Sequence, residues 1–487
     1  YEIMKLNRRE FIAGIGIGLA VKPLWGQSKP RVIIAGAGLS GLSVAYELSQ
    51  LGYKVTVLEG RERLGGRIFT LKKPFLDEQY VELGGELIGD GYKRMLGYAQ
   101  KFNVPFEEFQ DEFETGGAVT NLQSGIGTTA ILKGQLYPIG SILEPHPYEL
   151  KGDEAKMLPP ALLSRYLRNI VREIGNDPNK LLEFDKFSLA DVLRKNGVSE
   201  TAIKLMNIAL NYNSIETVSA GGVLFEMQRR MSSGTRANKI LGGNFELIKA
   251  LANNAKKNGV KVVLEAKVKQ IRHSESSVKV SFVNKNGETQ TLEAEKLVCT
   301  IPFSVLREIK FSPALPDAKA KAINEIAYTK ITKVMMQGSR FEWDRRNLGS
   351  SIWTDTPLER IFSMSGQRGD NRGIWTVWMD GENPSQPEKM SDQQRQIWSK
   401  TQFTEILPFM KNTIERTATI SWTNDEFVRG AFAHFLKGQL VELKPSLKTQ
   451  VGAIHFAGEH TAEFSPGMEG AFESAERVVA EITKKNL

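Results

Sequence analysis

Residues 31–41 read RVIIAGAGLSG, and this stretch decides the architecture of the chain. Residues 31–35 form a largely apolar run that is typical of a buried strand, and three glycines follow within residues 36–41. Apolar residues then recur at helical spacing, at Leu42, Ala45, Tyr46 and Leu48. The order of strand, glycine turn and helix predicts an α/β fold.

The glycines and one acidic residue suit a bound dinucleotide. Gly36 permits a tight turn, Gly38 lets the backbone approach a pyrophosphate, and Gly41 allows the helix to pack closely on the strand. A second apolar strand, residues 54–58, ends at Glu59, whose carboxylate can accept both ribose hydroxyls of an adenosine. NAD and FAD share this ADP half, so the unit does not separate them. The residues predicted to contact the dinucleotide are Gly36, Ala37, Gly38, Leu39, Ser40, Gly41, Glu59 and Gly60.

The composition is that of a globular protein, with 25% charged and 41% hydrophobic residues among 487. At roughly 100 to 200 residues per domain, this length predicts two to four domains. The net charge of +8 includes +3 from residues 1–29, and the remainder shows no long basic run, which disfavours a nucleic-acid partner. Cys299 lies in an apolar run and is predicted to pack in a strand. The five histidines are too scattered to predict a metal site.

The segment 1–29 carries a motif of its own. Arg8 and Arg9 are followed by one spacer residue, Phe11 and Ile12. This pattern resembles a twin-arginine export signal, which implies the export machinery as a partner and a periplasmic or secreted location. Residues 11–21 are apolar but too short to span a bilayer core of roughly 30 Å. No small-x-small cleavage site follows them, and an ordinary amphipathic helix is the alternative.

Two further glycine pairs point to a cofactor class. Residues 61–70 read RERLGGRIFT and residues 82–85 read ELGG, which resembles the flavin-containing amine oxidase superfamily. Adjacent glycines between arginines suit a second close approach of backbone to a phosphate or a flavin. The resemblance implies FAD, with contacts from Arg61, Gly65, Gly66, Arg67, Gly84, Gly85 and Glu86.

The resemblance continues to the end of the chain. Residues 242–243 are a Gly-Gly pair before a helical pattern, and the strand at 297–301 ends in Pro302, as in that family. Residues 456–461 and 467–471 are similar to the segments that lie against the ribityl chain and the flavin ring, where a helix N-terminus favours electron density on the flavin. The family's positions imply FAD contacts from Val268, Trp422, Gly458, Glu459, Gly467, Met468 and Glu469.

These blocks are separated in sequence, which predicts a discontinuous fold. We expect a Rossmann-like FAD-binding domain of the glutathione-reductase type from residues 30–95, 220–303 and 421–487. A second, mixed α+β substrate domain is expected from residues 96–219 and 304–420. Helical patterns are strongest at 161–174 and 189–210, strands are expected at 260–265 and 278–283, and irregular loops are expected at 134–160 and 381–387.

The resemblance also implies the catalytic residues. Lys333 lies ten residues before Trp343, and at this spacing the family has a lysine that holds a water near flavin N5. Its charge would stabilise the developing superoxide when O2 reoxidises the flavin. A solvated strand lysine is the alternative, and nearby Lys330 shows how readily one occurs.

Trp422 and Phe432 complete the predicted catalytic set. Ala431 stands where monoamine oxidases have the cysteine that bonds the flavin, so FAD is expected to be noncovalent. Of the two aromatic residues that flank the amine in those enzymes, one falls on Phe432 and the other on Gly467. One aromatic wall is therefore kept, with core packing as the alternative role of Phe432.

The family's reaction is hydride transfer from the α carbon of a neutral amine to flavin N5. The imine then hydrolyses to carbonyl and ammonia, and O2 is reduced to H2O2, without a strong enzymic base. Amino-acid oxidases of the superfamily keep a carboxylate-binding arginine at the position of Leu87, beside Glu86. Glu86 could bind an ammonium or accept amides of the flavin loop, while Arg229 or Arg230 could supply the carboxylate site.

An amine oxidase is therefore the expected function, with an L-amino acid oxidase as the near alternative. A desaturase or dehydrogenase that acts on a large apolar substrate or uses a protein electron acceptor stays open, and a noncatalytic FAD module is the weakest alternative. The oligomeric state is also open, with a homodimer as one alternative.

Overall fold

The computed structural model describes residues 29–109, 129–138, 145–175, 177–231, 233–234, 236–363, 371–383 and 385–484. Residues 1–28 of the predicted export signal, and parts of the loops predicted at 134–160 and 381–387, lie outside the described residues.

The strands of the described residues fall into separate sheets. In chain order they are β1 (Arg31–Ala35), β2 (Lys54–Leu58), β3 (Thr70–Leu71), β4 (Val81–Glu82), β5 (Ile88–Gly89), β6 (Phe106–Phe109), β7 (Thr129–Leu132), β8 (Gln135–Tyr137), β9 (Ala237–Ile240), β10 (Lys261–Val263), β11 (Lys267–His273), β12 (Val278–Val283), β13 (Thr289–Ala294), β14 (Lys296–Cys299), β15 (Lys310–Ser312), β16 (Ala327–Tyr328), β17 (Ile331–Ser339), β18 (Ser351–Thr354), β19 (Arg360–Ser363), β20 (Arg372–Asp380), β21 (Ile414–Ser421), β22 (Ala433–His434) and β23 (Ile454–Phe456).

Helices lie between these strands. In chain order they are α1 (Leu39–Gln50), α2 (Lys93–Lys101), α3 (Pro159–Ile174), α4 (Pro178–Glu183), α5 (Leu189–Lys195), α6 (Glu200–Met206), α7 (Ala220–Met231), α8 (Phe245–Lys257), α9 (Phe303–Leu306), α10 (Asp317–Glu325), α11 (Phe341–Arg345), α12 (Asp392–Ile406), α13 (Gln439–Leu447) and α14 (Gly467–Thr483). Among the described residues, none of these helices has the length and apolarity needed to cross a membrane.

A five-stranded parallel sheet has the order β10-β2-β1-β14-β23. Its two faces are both covered, which is why β1 is apolar at successive positions. Val32 and Ile34 pack with α1, α8 and α14, while Ile33 and Ala35 pack with the neighbouring sheet β13-β12-β11-β15. The strands come from three distant parts of the chain, so this sheet exists only when those parts meet.

A second large sheet has the order β21-β17-β20-β19-β18-β7-β8. Strand β17, which lies between β21 and β20, is buried at eight of its nine positions, so apolar and polar residues do not alternate along it. On one face Val334 and Met336 pack with Phe403 of α12. The other face, which carries Lys333 and Met335, is turned toward Trp422 and β4.

Several local predictions are confirmed, and two differ. The strands at 31–35, 54–58 and 278–283 and the helix at 161–174 form as expected, and Cys299 is buried in β14. The single helix expected over 189–210 is two helices, α5 and α6, because Gly197 between them has a φ of +78°. The strand expected at 260–265 is limited to β10, and Glu265 after it has a φ of +53°.

The contact between α1 and β1 generates the first prediction. A Cβ at Gly41 would lie 2.0 Å from the carbonyl oxygen of Gly36, which is backbone and cannot move aside cheaply. Gly41→Ala is therefore expected to lower the free energy of unfolding by about 1 to 3 kcal/mol, measured by chemical denaturation. Gly97→Ala in α2 is the matched control, because a Cβ there meets nothing within 4 Å. A Gly41→Ala protein as stable as Gly97→Ala would contradict this account.

Candidate active site

A cavity of about 430 Å³ lies between the parallel sheet and the seven-stranded sheet. At one end its walls are residues that follow the carboxyl ends of parallel strands: Gly36 after β1, Glu59 after β2, Thr300 after β14 and Gly458 after β23. This edge is where open α/β sheets bind ligands. At the other end the wall is formed by side chains of β17, β19 and β20.

Two glycine turns face each other across the first end. The amide of Gly65 donates to the carbonyl of Ala37 at 2.9 Å, and Gly65 and Gly66 both have positive φ values that favour glycine. Helix α1 begins after Gly38 without a side-chain cap, and Leu39, Ser40 and Gly41 line the cavity. The first amides of a helix bind anions well, so this end suits a pyrophosphate.

Glu59 is buried beside these turns. Its Oε2 accepts from the amide of Ala37 at 2.7 Å, and its Oε1 accepts from the amide of Arg61 at 3.0 Å. Burial raises the pKa of the Glu59 carboxyl, and the two amides oppose that shift. The carboxylate is thus fixed in the cavity wall, where further acceptor sites suit ribose hydroxyls.

Two ion pairs join the first glycine block to the last part of the chain. The Arg61 guanidinium binds Asp425 at 2.7 and 2.5 Å and lies 4.9 Å from the ring centre of Phe427. Arg67 Nη1 donates to Glu459 Oε1 at 2.8 Å and to the carbonyl of Ala431 at 2.7 Å. The sequence did not predict the roles of Asp425 and Phe427, because no motif around them indicates that they contact Arg61, which lies more than 350 residues earlier in the chain.

The predicted flavin end is built from backbone and one tryptophan. Trp422 is buried, and its Nε1 donates to the carbonyl of Leu83 at 2.9 Å. A Cβ at Gly84 would lie 1.8 Å from the Arg67 carbonyl oxygen, and a Cβ at Gly85 would lie 2.8 Å from the sulfur of Met468. The contact at Gly84 is with backbone and leaves room for glycine alone, whereas at Gly85 the Met468 side chain would have to shift. Helix α14 opens onto the same cavity through Gly467 and Met468, again without a side-chain cap.

Lys333 is fully buried and lines the cavity. Its Nζ donates to the carbonyls of Glu82 and Gly84 at 3.2 and 3.4 Å, lies 3.7 Å from Glu86 Oε2 and sits 4.1 Å from the ring centre of Trp378. Burial lowers the pKa of Lys333, and the carboxylates of Glu86 and Glu82 oppose that shift. A solvated lysine is excluded by this position.

A second acid lies behind Lys333. Glu82 accepts from the amide of Asn244 at 2.7 Å and from the hydroxyl of Thr70 at 2.9 Å. Burial raises the pKa of the Glu82 carboxyl to about 7. Glu82 was not among the predicted site residues, although it belongs to the quoted ELGG segment.

The wall beyond Lys333 holds residues that sequence reasoning missed: Asn211, Arg360, Phe362 and Trp378. Arg360 Nη2 donates to Asn211 Oδ1 at 2.8 Å and to the buried carboxylate of Asp380. Arg230, named in sequence as an alternative carboxylate site, lines this wall, and its Nε donates to Glu226 at 2.8 Å. Arg229 instead donates to the carbonyl of Ser465.

The structure brings most predicted residues to one cavity. Those lining it are Gly36, Gly38, Leu39, Ser40, Gly41, Glu59, Gly60, Arg61, Gly65, Gly66, Arg67, Gly84, Gly85, Glu86, Leu87, Val268, Lys333, Trp422, Phe432, Gly458, Glu459, Gly467 and Met468.

Two predicted cofactor contacts do not line the cavity. Ala37 is buried and supports the wall through its bonds to Glu59 and Gly65. The carboxylate of Glu469 points away and accepts from the amides of Arg94 and Met95, at 2.9 and 3.1 Å. It caps the start of α2, so the side chain of Glu469 is corrected from a cofactor contact to a helix cap.

The residues present fit FAD. Uncapped helix N-termini meet the cavity at both ends, and a fixed carboxylate lies at the ribose position. The backbone at Gly84 leaves no space for a side chain. In the described part of the chain, no three His, Cys, Asp or Glu side chains are placed to hold a metal ion. Fold and cavity define a dinucleotide-binding enzyme of mixed α/β fold.

The chain belongs to the family of flavin containing amine oxidoreductases, whose family model matches residues 39–483. It is therefore a flavin-dependent oxidoreductase that acts on amine donors, and its cofactor is FAD.

Several known proteins are similar to this chain over nearly its whole length. The putative L-amino-acid oxidase YobN of Bacillus subtilis (strain 168) is 27% identical, over 94% of this chain and 95% of its own length. The L-amino-acid oxidase of Bothrops atrox is 26% identical, over 93% of this chain and 88% of its own length. Cyclohexylamine oxidase from Brevibacterium oxydans IH-35A has the same fold, with a TM-score of 0.75 at 20% identity over 94% of this chain and 99% of that one.

The position of Glu59 generates the second prediction. Glu59→Ala is expected to raise the dissociation constant for FAD about 10- to 100-fold, because it removes charge-assisted hydrogen bonds. The measurement is titration of apoprotein with FAD, followed by quenching of flavin fluorescence.

Glu62→Ala is the matched control, since Glu62 is exposed in the same loop and does not line the cavity. Equal dissociation constants for the two variants would contradict the role of Glu59. A thermal unfolding curve of each apoprotein shows whether the glycine turn survives the loss of the Ala37 and Arg61 contacts.

Proposed function

We propose that this amine oxidase uses α-amino acids of the L series as its donors. The observation that carries the proposal is the charge of the cavity wall beyond the flavin end. Lys333, Arg230 and Arg360 line it against the carboxylate of Glu86, which already lies 3.7 Å from Lys333 Nζ. The carboxylates that pair with Arg230 and Arg360, those of Glu226 and Asp380, do not line the cavity, so a substrate carboxylate complements the cations that do.

The similar proteins support the same substrate class. The two relatives described above are named L-amino-acid oxidases, and each is matched over nearly all of this chain. Leu87 occupies the place where such enzymes have their arginine, so the carboxylate site of this chain must use other residues.

FAD, when bound, accepts a hydride from the α carbon of the amine and passes its electrons to O2, which yields H2O2. The part of the protein is to place the amine at the flavin end of the cavity. Phe432 supplies one apolar wall, and Gly467 leaves the opposite side open. Because Ala431 cannot bond a flavin, the cofactor is held noncovalently by the two helix N-termini and the glycine turns. Lys333, buried between two carbonyls and Trp378, would hold one water beside the reacting centre.

A plain amine is the second candidate. Its supporting observation is Glu86, whose carboxylate lines the cavity and could bind an ammonium if Lys333 gave up its proton. The likeness to cyclohexylamine oxidase extends to the fold alone, so it does not decide between an amino acid and a plain amine as the donor. An alkane-like desaturase substrate is disfavoured by three cations in the wall.

The two large sheets support a division of the chain into two domains. We propose that residues 30–95, 220–303 and 421–487 form a discontinuous, Rossmann-like FAD-binding domain around the five-stranded parallel sheet. Residues 96–219 and 304–420 then form the substrate domain around the seven-stranded sheet. Strand β23 supports this division, since it pairs in parallel with β14 across more than 150 residues of chain.

Export is proposed from the sequence motif at Arg8 and Arg9. A periplasmic or secreted enzyme, folded with FAD before transport, would follow from it. Cell fractionation of the chain beside an Arg8→Lys, Arg9→Lys variant tests this, because a twin-arginine signal loses function in the variant. Whether the enzyme is a homodimer is answered by sedimentation of the same preparation.

The substrate panel is the test of the proposed function and the third prediction. L-amino acids, the matching D-amino acids and the matching decarboxylated amines are mixed anaerobically with the protein, and the flavin band near 450 nm is followed. We expect bleaching by L-amino acids at concentrations at least about tenfold below those needed for the amines. H2O2 should form when air is admitted. Bleaching by amines alone would favour the second candidate, and no bleaching by either class would reject both.

Lys333 generates the fourth prediction. Lys333→Met is expected to slow reoxidation by O2 about 100-fold, because it removes a pre-organised charge from a dry site, while anaerobic reduction changes much less. Stopped-flow mixing of reduced protein with oxygenated buffer measures the rate. Lys330→Met is the control, since Lys330 precedes β17 and does not line the cavity.

The same rate should depend on pH in one direction. Burial lowers the pKa of Lys333 below the ordinary value of 10.5, and the protonated form is the active one. Reoxidation should therefore slow as pH rises through the pKa of Lys333, at a pH below 10.5. A rate that stays flat up to pH 10.5 in wild type, or is equal in wild type and Lys333→Met, would contradict the role.

A further inference from the structure

We propose that Arg360 binds the carboxylate of the substrate and that Asp380 holds Arg360 in position. This assignment rests on the proposed amino-acid donor. It moves the carboxylate site from the loop at Leu87 to the middle of the seven-stranded sheet.

The sheet places Arg360 in line with Lys333. Lys333 pairs with Trp378 across β17 and β20, and Trp378 pairs with Arg360 across β20 and β19. The three side chains therefore form one row on the same face, and all three line the cavity. With strands about 4.8 Å apart, the Cα atoms of Lys333 and Arg360 are about 10 Å apart. An α-amino acid can lie against Trp378 in this row, with its α carbon toward Lys333 and its carboxylate toward Arg360.

The guanidinium of Arg360 has hydrogen-bonding capacity left. Of the five N–H donors of an arginine, the protein uses those on Nη2, which bind Asn211 and Asp380. Nε is buried and has no partner among the described residues. Nη1 also donates to no described residue, and because Arg360 lines the cavity this nitrogen can donate to a carboxylate there.

The surroundings of Arg360 fix its direction. Asp380 is buried, and its two oxygens also accept from the amide of Asn211, both at 3.1 Å. Glu359 lies behind this pair and accepts from the amide of Asp380 at 2.8 Å and from Asn383. Burial and the neighbouring Asp380 carboxylate raise the pKa of Glu359, and burial raises the pKa of Asp380 as well, so this pair resists carrying two negative charges beside the arginine.

Arg230 is the competing residue, and two observations place it second. It lies on helix α7, outside the row of Lys333, Trp378 and Arg360. Of its side chain 38% is accessible, against 10% for Arg360. A better hydrated cation gains less from a carboxylate than a buried one. Tyr92, Tyr212 and Glu226 are the groups that face Arg230.

The experiment separates the carboxylate from the amine. Its probes are 3-phenylpropanoate, which keeps the carboxylate of L-phenylalanine, and 2-phenylethylamine, which keeps its amine. Binding of 3-phenylpropanoate to the oxidised holoenzyme is measured from the shift of the flavin spectrum, and KM is measured for L-phenylalanine and 2-phenylethylamine. The variants are Arg360→Met, Arg360→Lys, Asp380→Asn and Arg230→Met.

We expect Arg360→Met to weaken 3-phenylpropanoate binding and to raise KM for L-phenylalanine, each about 10- to 100-fold, while KM for 2-phenylethylamine changes less than about threefold. Arg360→Lys keeps the positive charge beside Asp380 but loses the planar guanidinium. Its affinity for 3-phenylpropanoate should therefore fall less than that of Arg360→Met, and the variant should fold normally. Asp380→Asn should weaken binding of 3-phenylpropanoate and leave KM for 2-phenylethylamine unchanged. FAD content and melting temperature show whether each variant is folded.

The outcomes that overturn the proposal are distinct from failure of the proposed function. Wild-type affinity for 3-phenylpropanoate in Arg360→Met, or loss of that affinity in Arg230→Met alone, overturns the role of Arg360 and leaves an amino-acid oxidase standing. If Arg360→Met raises KM for 2-phenylethylamine as much as it weakens 3-phenylpropanoate binding, Arg360 is a structural residue, and the proposal is overturned. A wild-type protein that oxidises 2-phenylethylamine but neither oxidises nor binds the carboxylates overturns the amino-acid donor itself.

Discussion

The structure depends on one close approach of backbone to backbone. Helix α1 crosses the end of β1 so tightly that a Cβ at Gly41 would lie 2.0 Å from the Gly36 carbonyl oxygen. That contact brings the uncapped start of α1 to the edge of the parallel sheet, where the Gly65 turn closes against Ala37. Every polar group of the dinucleotide end is placed relative to this crossing, including Glu59 through its bond to the Ala37 amide.

At the opposite end of the cavity, buried charged side chains form the wall, and their pairing replaces the backbone contacts of the dinucleotide end. Lys333, Arg360 and Asp380 are all buried, and isolated ions cannot be kept there. Each is held by a partner: Lys333 by two carbonyls, Glu86 and the Trp378 ring, and Arg360 by Asp380 and Asn211. The sheet supplies the spacing, because neighbouring strands bring Lys333, Trp378 and Arg360 into one row. Chemistry at this wall is thus set by strand register.

This contrast explains how much could be predicted from the sequence. The glycine turn and Glu59 lie within one local unit, so their spacing alone indicates a dinucleotide. Lys333 and the Gly84 pair followed from a family resemblance, and the cavity includes both. Arg360 was missed because its partners Asn211 and Asp380 lie 149 and 20 residues away, and only strand pairing brings them together. Glu469 was assigned to the cofactor because a helix start is readable from sequence while the direction of its side chain is not.

The ion pairs Arg61–Asp425 and Arg67–Glu459 connect residues that are 364 and 392 positions apart. Together with the pairing of β23 beside β14, they mean that the early glycine turns lack their partners until almost the whole chain has been synthesised. A nascent chain on the ribosome holds β1, α1 and β2 but not the walls that enclose a flavin. Loading of the cofactor is consequently a late event in the life of this polypeptide, and the supply of FAD acts on completed chains rather than on growing ones.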